Sequence, residues 1–378
     1  MSPNLPRMEV GTEATVNEAL ADAYIRHAIS LSRLENAQAR EVIAYLNAEV
    51  FPGVMDKVES RVLGFSHRGV NAQEGVAYAR LMDEVKGILF GGFRKARGDF
   101  ARQLYRMAQA EAQFTITALG KELKFDFRSK IPDYKTFKRL VYRQPINGHT
   151  LGRRFDLLAA NTFTRFQREV NIGLANGETA DSIIRRVRGT ASARYKDGVL
   201  GRARQWTDTE VRTATQAVAN GAREETHGAN ADVIEKEQWS AILDNRTCEV
   251  CAGLDGKVFD VGSGTHPPRH ENCRCFRVPV VKSERQLGFK KGELPEGQKR
   301  SLDGLVPAKT GFEKWMRGQG AKVQDDVLGA TRARLWRNGR VKLGAFSNDR
   351  GKILTLEQLA AKEGFNLAKE LKKTRGGK

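Results

Sequence analysis

The chain is poor in cysteine, histidine and tryptophan, with four, six and four of them among 378 residues. Prolines number ten, and aromatic residues make up 8%. So few cysteines exclude a disulfide-stapled secreted scaffold, and the 40% hydrophobic residues must supply the cores instead. No stretch approaches the roughly 18 uninterrupted apolar residues of a membrane span. The amino terminus, "MSPNLPRMEVGTEA", has neither the charged start nor the apolar core of a secretory signal. These absences predict synthesis in the cytoplasm and no membrane partner. Acidic side chains are also in deficit, 45 against 64 Lys plus Arg, for a formal charge of +19. That balance favours a polyanion or an acidic protein surface as partner. No P-loop, Ser/His/Asp constellation or paired-carboxylate motif occurs, which argues against an enzyme.

What is present reads mostly as helix, in a chain long enough for two or three domains. Residues 15–50 open with Thr15 and Glu18 in capping-box positions and carry Leu20, Tyr24, Leu31, Val42 and Leu46 near one helical face. That helix is expected to stop at Pro52–Gly53. A second helical region spans about 72–120, and 126–150 mixes Pro, Gly and charge without clear periodicity, as a boundary would. Leu151 to Asn171 is again helical, Gly177 to Thr179 a turn, and "DSIIRRVRG" a short basic helix closed by Gly189. Thr207 with Glu210 predicts a capping box, and Trp206 with Val211 a hydrophobic staple, at the start of a further helix. Residues 238–243 alternate loosely like a strand.

All four cysteines fall in "CEVCAGLDGKVFDVGSGTHPPRHENCRC", residues 248–275, together with His266 and His270. Cys248 and Cys251 form a C-x2-C knuckle; Cys273 and Cys275 flank Arg274, so that on a strand both sulfurs would face one side. Two short knuckles separated by a loop are what a tetrahedral zinc needs, because each offers neighbouring soft ligands while the loop folds over the ion. Disulfides are disfavoured in a reducing cytoplasm. The candidates outnumber four positions. One set is Cys248, Cys251, His270 and either Cys273 or Cys275; the competing set is all-cysteine, with His270 outside the coordination shell. His266, before Pro267–Pro268, reads as a spectator. Either set is closed, a structural rather than catalytic site. Asp244 and Asp255 lie in turn contexts where Asp bonds its own backbone.

The order of these residues resembles the core motif of phage Mu F-like minor head proteins, also called phage head morphogenesis proteins. The resemblance rests on an entry with Asp244, Arg246, Thr247, Cys248 and Cys251, a Leu254-Asp255-Gly256 turn, and a Pro-Pro-x-His-x-x-Cys-Arg-Cys exit. Helical segments "ANGETADSIIRRVRGT" and "TDTEVRTATQAVANGAREE" extend it, so that it covers about 140–281. It implies a structural minor capsid protein of a tailed bacteriophage, residing in the virion head near the portal vertex. Its implied partners are the portal protein, the major capsid or scaffold protein, and the packaged DNA. A zinc-containing DNA-binding protein or a nuclease is the alternative, although no long helix separates the ligand pairs as in groove-reading fingers.

The expected fold is therefore α+β, predominantly α-helical with a small zinc-stabilised β-hairpin and loop module. We expect an N-terminal helical domain over 1–135, the Mu F-like core over 140–281 with its zinc module at 240–281, and a C-terminal helical tail over 282–378. In the tail, Thr310 with Glu313 and Thr355 with Gln358 predict capping boxes, and Leu354 with Leu359 a staple, giving short helices over 310–338 and 355–373. Helix ends near Trp315 and Trp336 are candidate docking anchors. Finally, Arg185, Arg186, Arg188, Arg194, Lys196, Arg202 and Arg204 crowd one segment against Asp197. This crowding predicts salt-sensitive binding of double-stranded DNA without sequence preference.

Overall fold

Seven helices build a body on which a three-stranded sheet and a helical tail are mounted. The computed structural model describes residues 16–62, 72–123, 127–283, 286–287, 298–301, 304–307, 311–347 and 353–370. The first helix, α1 (Val16–Tyr45), buries Leu20, Tyr24, Ala28 and Leu31 at intervals of three and four residues. Thr15, half of the expected capping box, lies outside the described residues. The helix does not stop at Pro52. A π turn at Leu46–Val50 leads directly into α2 (Phe51–Val62). Pro52 follows the π turn directly, and this local widening is where the continuous helix accommodates a residue without an amide hydrogen.

The longest helix, α3 (Ala72–Leu123), has 52 residues and spans about 78 Å at 1.5 Å per residue. The segment expected to be an irregular boundary contains α4 (Tyr134–Tyr142), capped by Asp133, whose carboxylate accepts from the Thr136 amide. Its periodicity is short, with only Phe137, Leu140 and Val141 buried. Helix α5 (Leu151–Ala175) starts at the cap Thr150 and α6 (Ala180–Arg188) at the cap Thr179, the latter closed by Gly189. One apolar cluster runs from Leu31 through Phe100, Phe155 and Phe166 to Ala222, so side chains from α1 to α7 share a core. Burying each such phenylalanine contributes about 1.5–3 kcal/mol.

The expected helix start at Thr207 is corrected. Helix α7 (Val199–Ala229) begins eight residues earlier, at the cap Gly198. Thr207 is fully buried in its interior, and its hydroxyl bonds the Ala203 carbonyl four residues back. Glu210 makes no capping box because Arg154 of α5 takes its carboxylate. An S/T-x-x-E pattern also satisfies an interior threonine beside a tertiary ion pair.

The sheet has the order β2-β1-β3, all antiparallel, with β1 (Ile234–Ser240) between β2 (Val258–Asp260) and β3 (Phe276–Val281). The fold is thus predominantly helical, as expected, but in place of the expected β-hairpin it has a three-stranded antiparallel sheet, because β3 returns after the cysteine loop to pair with β1. Val233, Ile234, Phe276, Val278 and Val281 pack against Leu20 and Tyr24 of α1 and Leu119 of α3. A short helix, α8 (Glu249–Leu254), follows β1. Two further strands, β4 (Gln298–Ser301) and β5 (Gly304–Pro307), pair with each other.

In the tail, the single helix expected over 310–338 is three: α9 (Phe312–Arg317), α10 (Ala321–Leu328) and α11 (Ala330–Arg337). Gly318, Gly320 and Gly329 occupy the breaks as helix caps. Thr310 lies outside the described residues, and Gly311 caps α9. The last helix, α12 (Leu356–Glu363), has the full Thr355–Gln358 capping box and ends on left-handed Gly364. Leu354 packs against the cluster that buries Leu359. Trp315 and Trp336 are 4% and 0% exposed, core residues of the tail rather than docking anchors. Among the described residues, no helix is long and apolar enough to cross a membrane.

Candidate metal centre and basic loop

The strand β1 delivers the chain to the cysteine loop through a turn closed by Asp244, while Asp255, expected to bond its own turn, reaches back across the loop instead. Asp244 accepts from the Arg246 amide at 2.9 Å, and Asp255 accepts from the Ala241 amide at 2.8 Å. Cys248 then caps α8, its sulfur accepting from the Cys251 amide at 3.4 Å. Helical geometry from this cap places the two sulfurs of the C-x2-C knuckle on one side. The exit ligands lie just before β3 rather than on it, since Cys273 and Cys275 are in extended coil.

That coil is pinned to the helical body. The Asn272 amide donates to Thr213 Oγ1 at 2.9 Å, and Asn220 Nδ2 donates to the Cys275 carbonyl at 3.1 Å, both from α7. Arg154 of α5 forks onto Glu271 at 2.8 and 2.9 Å. Arg274 forks onto Asp244 at 2.7 Å on both oxygens, tying the exit knuckle to the entry turn.

Five donors converge as a result. His270 Nε2 lies 3.2 Å from Cys248 Sγ and 3.4 Å from Cys251 Sγ, and Cys251 and Cys273 sulfurs are 3.7 Å apart. Cys248, Cys251 and His270 form one group with all ligand atoms within 4.8 Å, and Cys251, Cys273 and Cys275 form another. Both groups are positioned to hold a metal ion. A tetrahedral zinc with thiolates at ~2.3 Å places its sulfurs about 3.8 Å apart, close to the spacing found for Cys251 and Cys273. The His270 Nδ1–H donates to the Glu271 carbonyl at 2.8 Å; a carbonyl cannot donate, so this bond fixes the tautomer and leaves Nε2 free as a ligand atom. Cys251, Cys273 and Cys275 are all buried.

The electrostatics agree with a cation-binding role. The hydrogen bond from Cys251 lowers the Cys248 thiol to about 4, helped by His270. Cys251 and Cys273 bonds likewise favour a thiolate at one sulfur and a thiol at the other: Cys273 is lowered and Cys251 raised. His270 is pushed up to about 11 by its bonds to Cys248 and Cys273. Without a metal, only part of the cysteine set carries charge at once; a divalent cation would let more of it ionise.

His266, taken as a spectator, is one: its Nδ1 bonds Glu224 at 2.7 Å. No sequence motif announces the buried polar network behind the sheet. Arg277 of β3 donates to Glu237 at 2.7 Å and to the carbonyls of Ser263 and Thr265 at 2.7 and 2.6 Å. Glu237 also bonds His227 at 2.7 Å, and His227 meets the Tyr24 hydroxyl at 2.9 Å. Next to it, Arg223 bonds Glu111 at 2.6 Å and His27 bonds the other oxygen at 2.8 Å. These polar side chains come from positions far apart in the chain, so only the fold brings them together.

The seven basic residues expected to meet DNA divide. Arg186 is held by Glu169 at 3.1 Å and by Glu178, and Arg204 by Asn47 at 2.7 Å over the Phe51 ring. Arg185, Arg188, Arg194, Lys196 and Arg202 are exposed. None of these five has an acidic partner within 4.0 Å among the described residues. Asp197, their expected counter-charge, is exposed and accepts from the Thr190 amide and hydroxyl at 2.8 and 2.7 Å.

Residues 164–278, which run from within α5 through α7, the cysteine loop and into β3, match the family model described as Phage Mu protein F like protein. The match bears out the resemblance carried by the cysteine motif. An uncharacterized protein of Haemophilus influenzae is 38% identical over 58 residues, 14% of this chain and 13% of that one. The chain thus spans about an eighth of that relative's length. No solved structure matches.

Proposed function

We propose, from the phage Mu F-like segment at residues 164–278, that this head morphogenesis protein is a structural minor component of a tailed-phage head, bound at the portal vertex and to the packaged DNA. The observation that carries the reading is the position of the donor cluster inside the matched segment. There it joins the helical body to the tail: Ala252 of α8 and Leu243 pack with Phe312, Trp336 and Phe346 of the tail. Asp255 reaches the Phe312 amide at 2.7 Å from the other side. A clip at such a junction serves shape, with Cys251, Cys273 and Cys275 buried and Cys248 and His270 partly buried.

Zinc is the ion we assign to it, held by Cys248, Cys251, His270 and Cys273. Cys273 is favoured over Cys275 as the fourth ligand because its sulfur lies 3.7 Å from Cys251 Sγ, near the spacing of two thiolates on one zinc. The all-cysteine set is the competing one, and zinc content of His270→Ala separates them: retention of the ion favours four thiolates. The portal, and the major capsid or scaffold protein, are the protein partners; duplex DNA is contacted through phosphates. Localisation is the virion head.

Co-expression with the cognate portal and shell proteins tests the assignment. The protein should enter particles in few copies. Persistence in the soluble fraction, or metal-dependent DNA cleavage lost on Cys248→Ala, would put the nuclease alternative in its place.

A further inference from the structure

We infer that the loop between α6 and α7 is a rigid contact point for unpaired DNA bases, with Tyr195 as the stacking platform and Arg194 and Lys196 as its phosphate contacts. The inference rests on the DNA-binding reading above and adds to its duplex phosphate contacts a separate site for unpaired strands.

The loop is built to project. Arg194 and Tyr195 are consecutive non-glycine residues in the left-handed region, with φ of 51° and 56°. Single residues of this kind are uncommon, and two in a row persist only where the surroundings enforce them. Three features do so here. The Tyr195 amide bonds the Thr190 carbonyl at 2.8 Å, and Asp197 clamps Thr190 from the far end of the loop. The base is closed by backbone contact: a Cβ on Gly198 would lie 2.3 Å from the Gly189 nitrogen, and one on Gly201 would lie 2.3 Å from the Tyr195 carbonyl oxygen. No larger residue fits either place, so the loop cannot relax inward.

The clamp displays Tyr195 46% exposed, with no hydrogen bond to its hydroxyl among the described residues. Arg194 and Lys196 precede and follow it in the chain, and Arg188 and Arg202 adjoin Gly189 and Gly201, which pack against the Tyr195 backbone, all four cations exposed. Exposed cations around an exposed aromatic ring match a backbone-tracking, base-stacking surface. The formal charge of +19 and the exposed cations without acidic partners among the described residues favour a polyanion as the occupant. In duplex DNA the base faces are already stacked, and exposing one costs a few kcal/mol. Unpaired strands present those faces freely.

The test uses the full-length protein and fluorescence anisotropy with a labelled oligonucleotide of about 20 bases, single-stranded or annealed to its complement. Wild type should bind the single strand more tightly. Tyr195→Ala should weaken single-strand binding about 5- to 100-fold while leaving duplex binding within about twofold, and Tyr195→Phe should retain the preference. An unchanged melting temperature of Tyr195→Ala verifies that the exposed side chain was not structural. Equal affinity of wild type for both forms, or no effect of Tyr195→Ala on the single strand, overturns this inference and leaves duplex binding standing. Displacement by poly-glutamate as effective as by DNA overturns it in favour of an acidic protein. Failure to bind either oligonucleotide overturns both readings.

Discussion

Helix α7 and the cysteine loop lie against each other, yet they hold their shapes differently. Along α7, Val211, Ala214, Val218 and Ala222 are buried in the large cluster shared with α3 and α5. From Trp239 to Cys275 the loop region offers a cluster of Trp239, Ala241 and three cysteines, with Cys248, Leu254 and Phe259 only partly covered. Apolar area stabilises the helix without help, whereas so few buried groups leave the loop dependent on its polar pins and its donor cluster. A bound metal would therefore have its largest effect there, where the apolar core is smallest.

Removal of the metal should give the largest effect of all. Chelation, or Cys251→Ala, should abolish one bound zinc per chain and unfold the loop at a cost of several kcal/mol, against the ~10–16 kcal/mol of structural zinc sites. Because Leu243 and Ala252 belong to the tail's apolar cluster, residues 311–370 should become protease-sensitive too, while α3 and α5 stay protected. Metal analysis with limited proteolysis checks both parts. Simultaneous loss of the helical body would erase the contrast.

The buried network behind the sheet comes next. Glu237→Gln should cost about 3–5 kcal/mol because it leaves Arg277, 0% exposed, with a buried charge less well compensated. Zinc content should not change. Burial raises Glu237 and Glu111, but bonds and charges from His227 and Arg277, and from Arg223 and His27, outweigh it and hold both carboxyls below their ordinary value of 4.5. Their contribution is therefore complete above 4.5 and lost as pH falls through the lowered folded values. Denaturant titrations across that range should show stability falling with acid, and less steeply in Glu237→Gln.

A smaller effect is expected at Gly201. Gly201→Ala should cost about 1–3 kcal/mol, since its Cβ would meet the Tyr195 carbonyl and that backbone must move. Thermal melts of the variant beside wild type measure it. Smallest is the joint replacement of Arg185, Arg188 and Arg202 by Ala, each expected to change stability by no more than about 0.5 kcal/mol. The same variant should flatten the dependence of log K on log salt by about 0.9 for each duplex phosphate that the protein no longer neutralises.

Much of this was legible where local chemistry is decisive. The capping box at Thr355, the stop at Gly189 and the turn at Asp244 each need only residues near them in the chain, whereas Asp255, expected to bond its own turn, instead bonds the distant Ala241 and Phe312 amides. The donor set was legible for the same reason, two knuckles being local patterns. Misreadings occurred where a local pattern had a tertiary partner: Glu210, expected to cap a helix, pairs with Arg154, and Thr207 is buried in the middle of α7. Pro52 failed as a stop because a π turn directly before it, which spacing does not reveal, lets the helix continue past it.

By itself, the sequence determined the helical character, the confinement of every cysteine to one loop, and the family resemblance of its central segment, because spacing and residue type act over a few positions. Only the tertiary structure decided which cations stay free. Arg186 and Arg204 are engaged by Glu178, Glu169 and Asn47, while Asp197 turns away from Arg194 and Lys196 to hold Thr190. Charge in a sequence can only be counted; whether it meets a partner depends on which distant side chains the packed helices bring within a few ångströms.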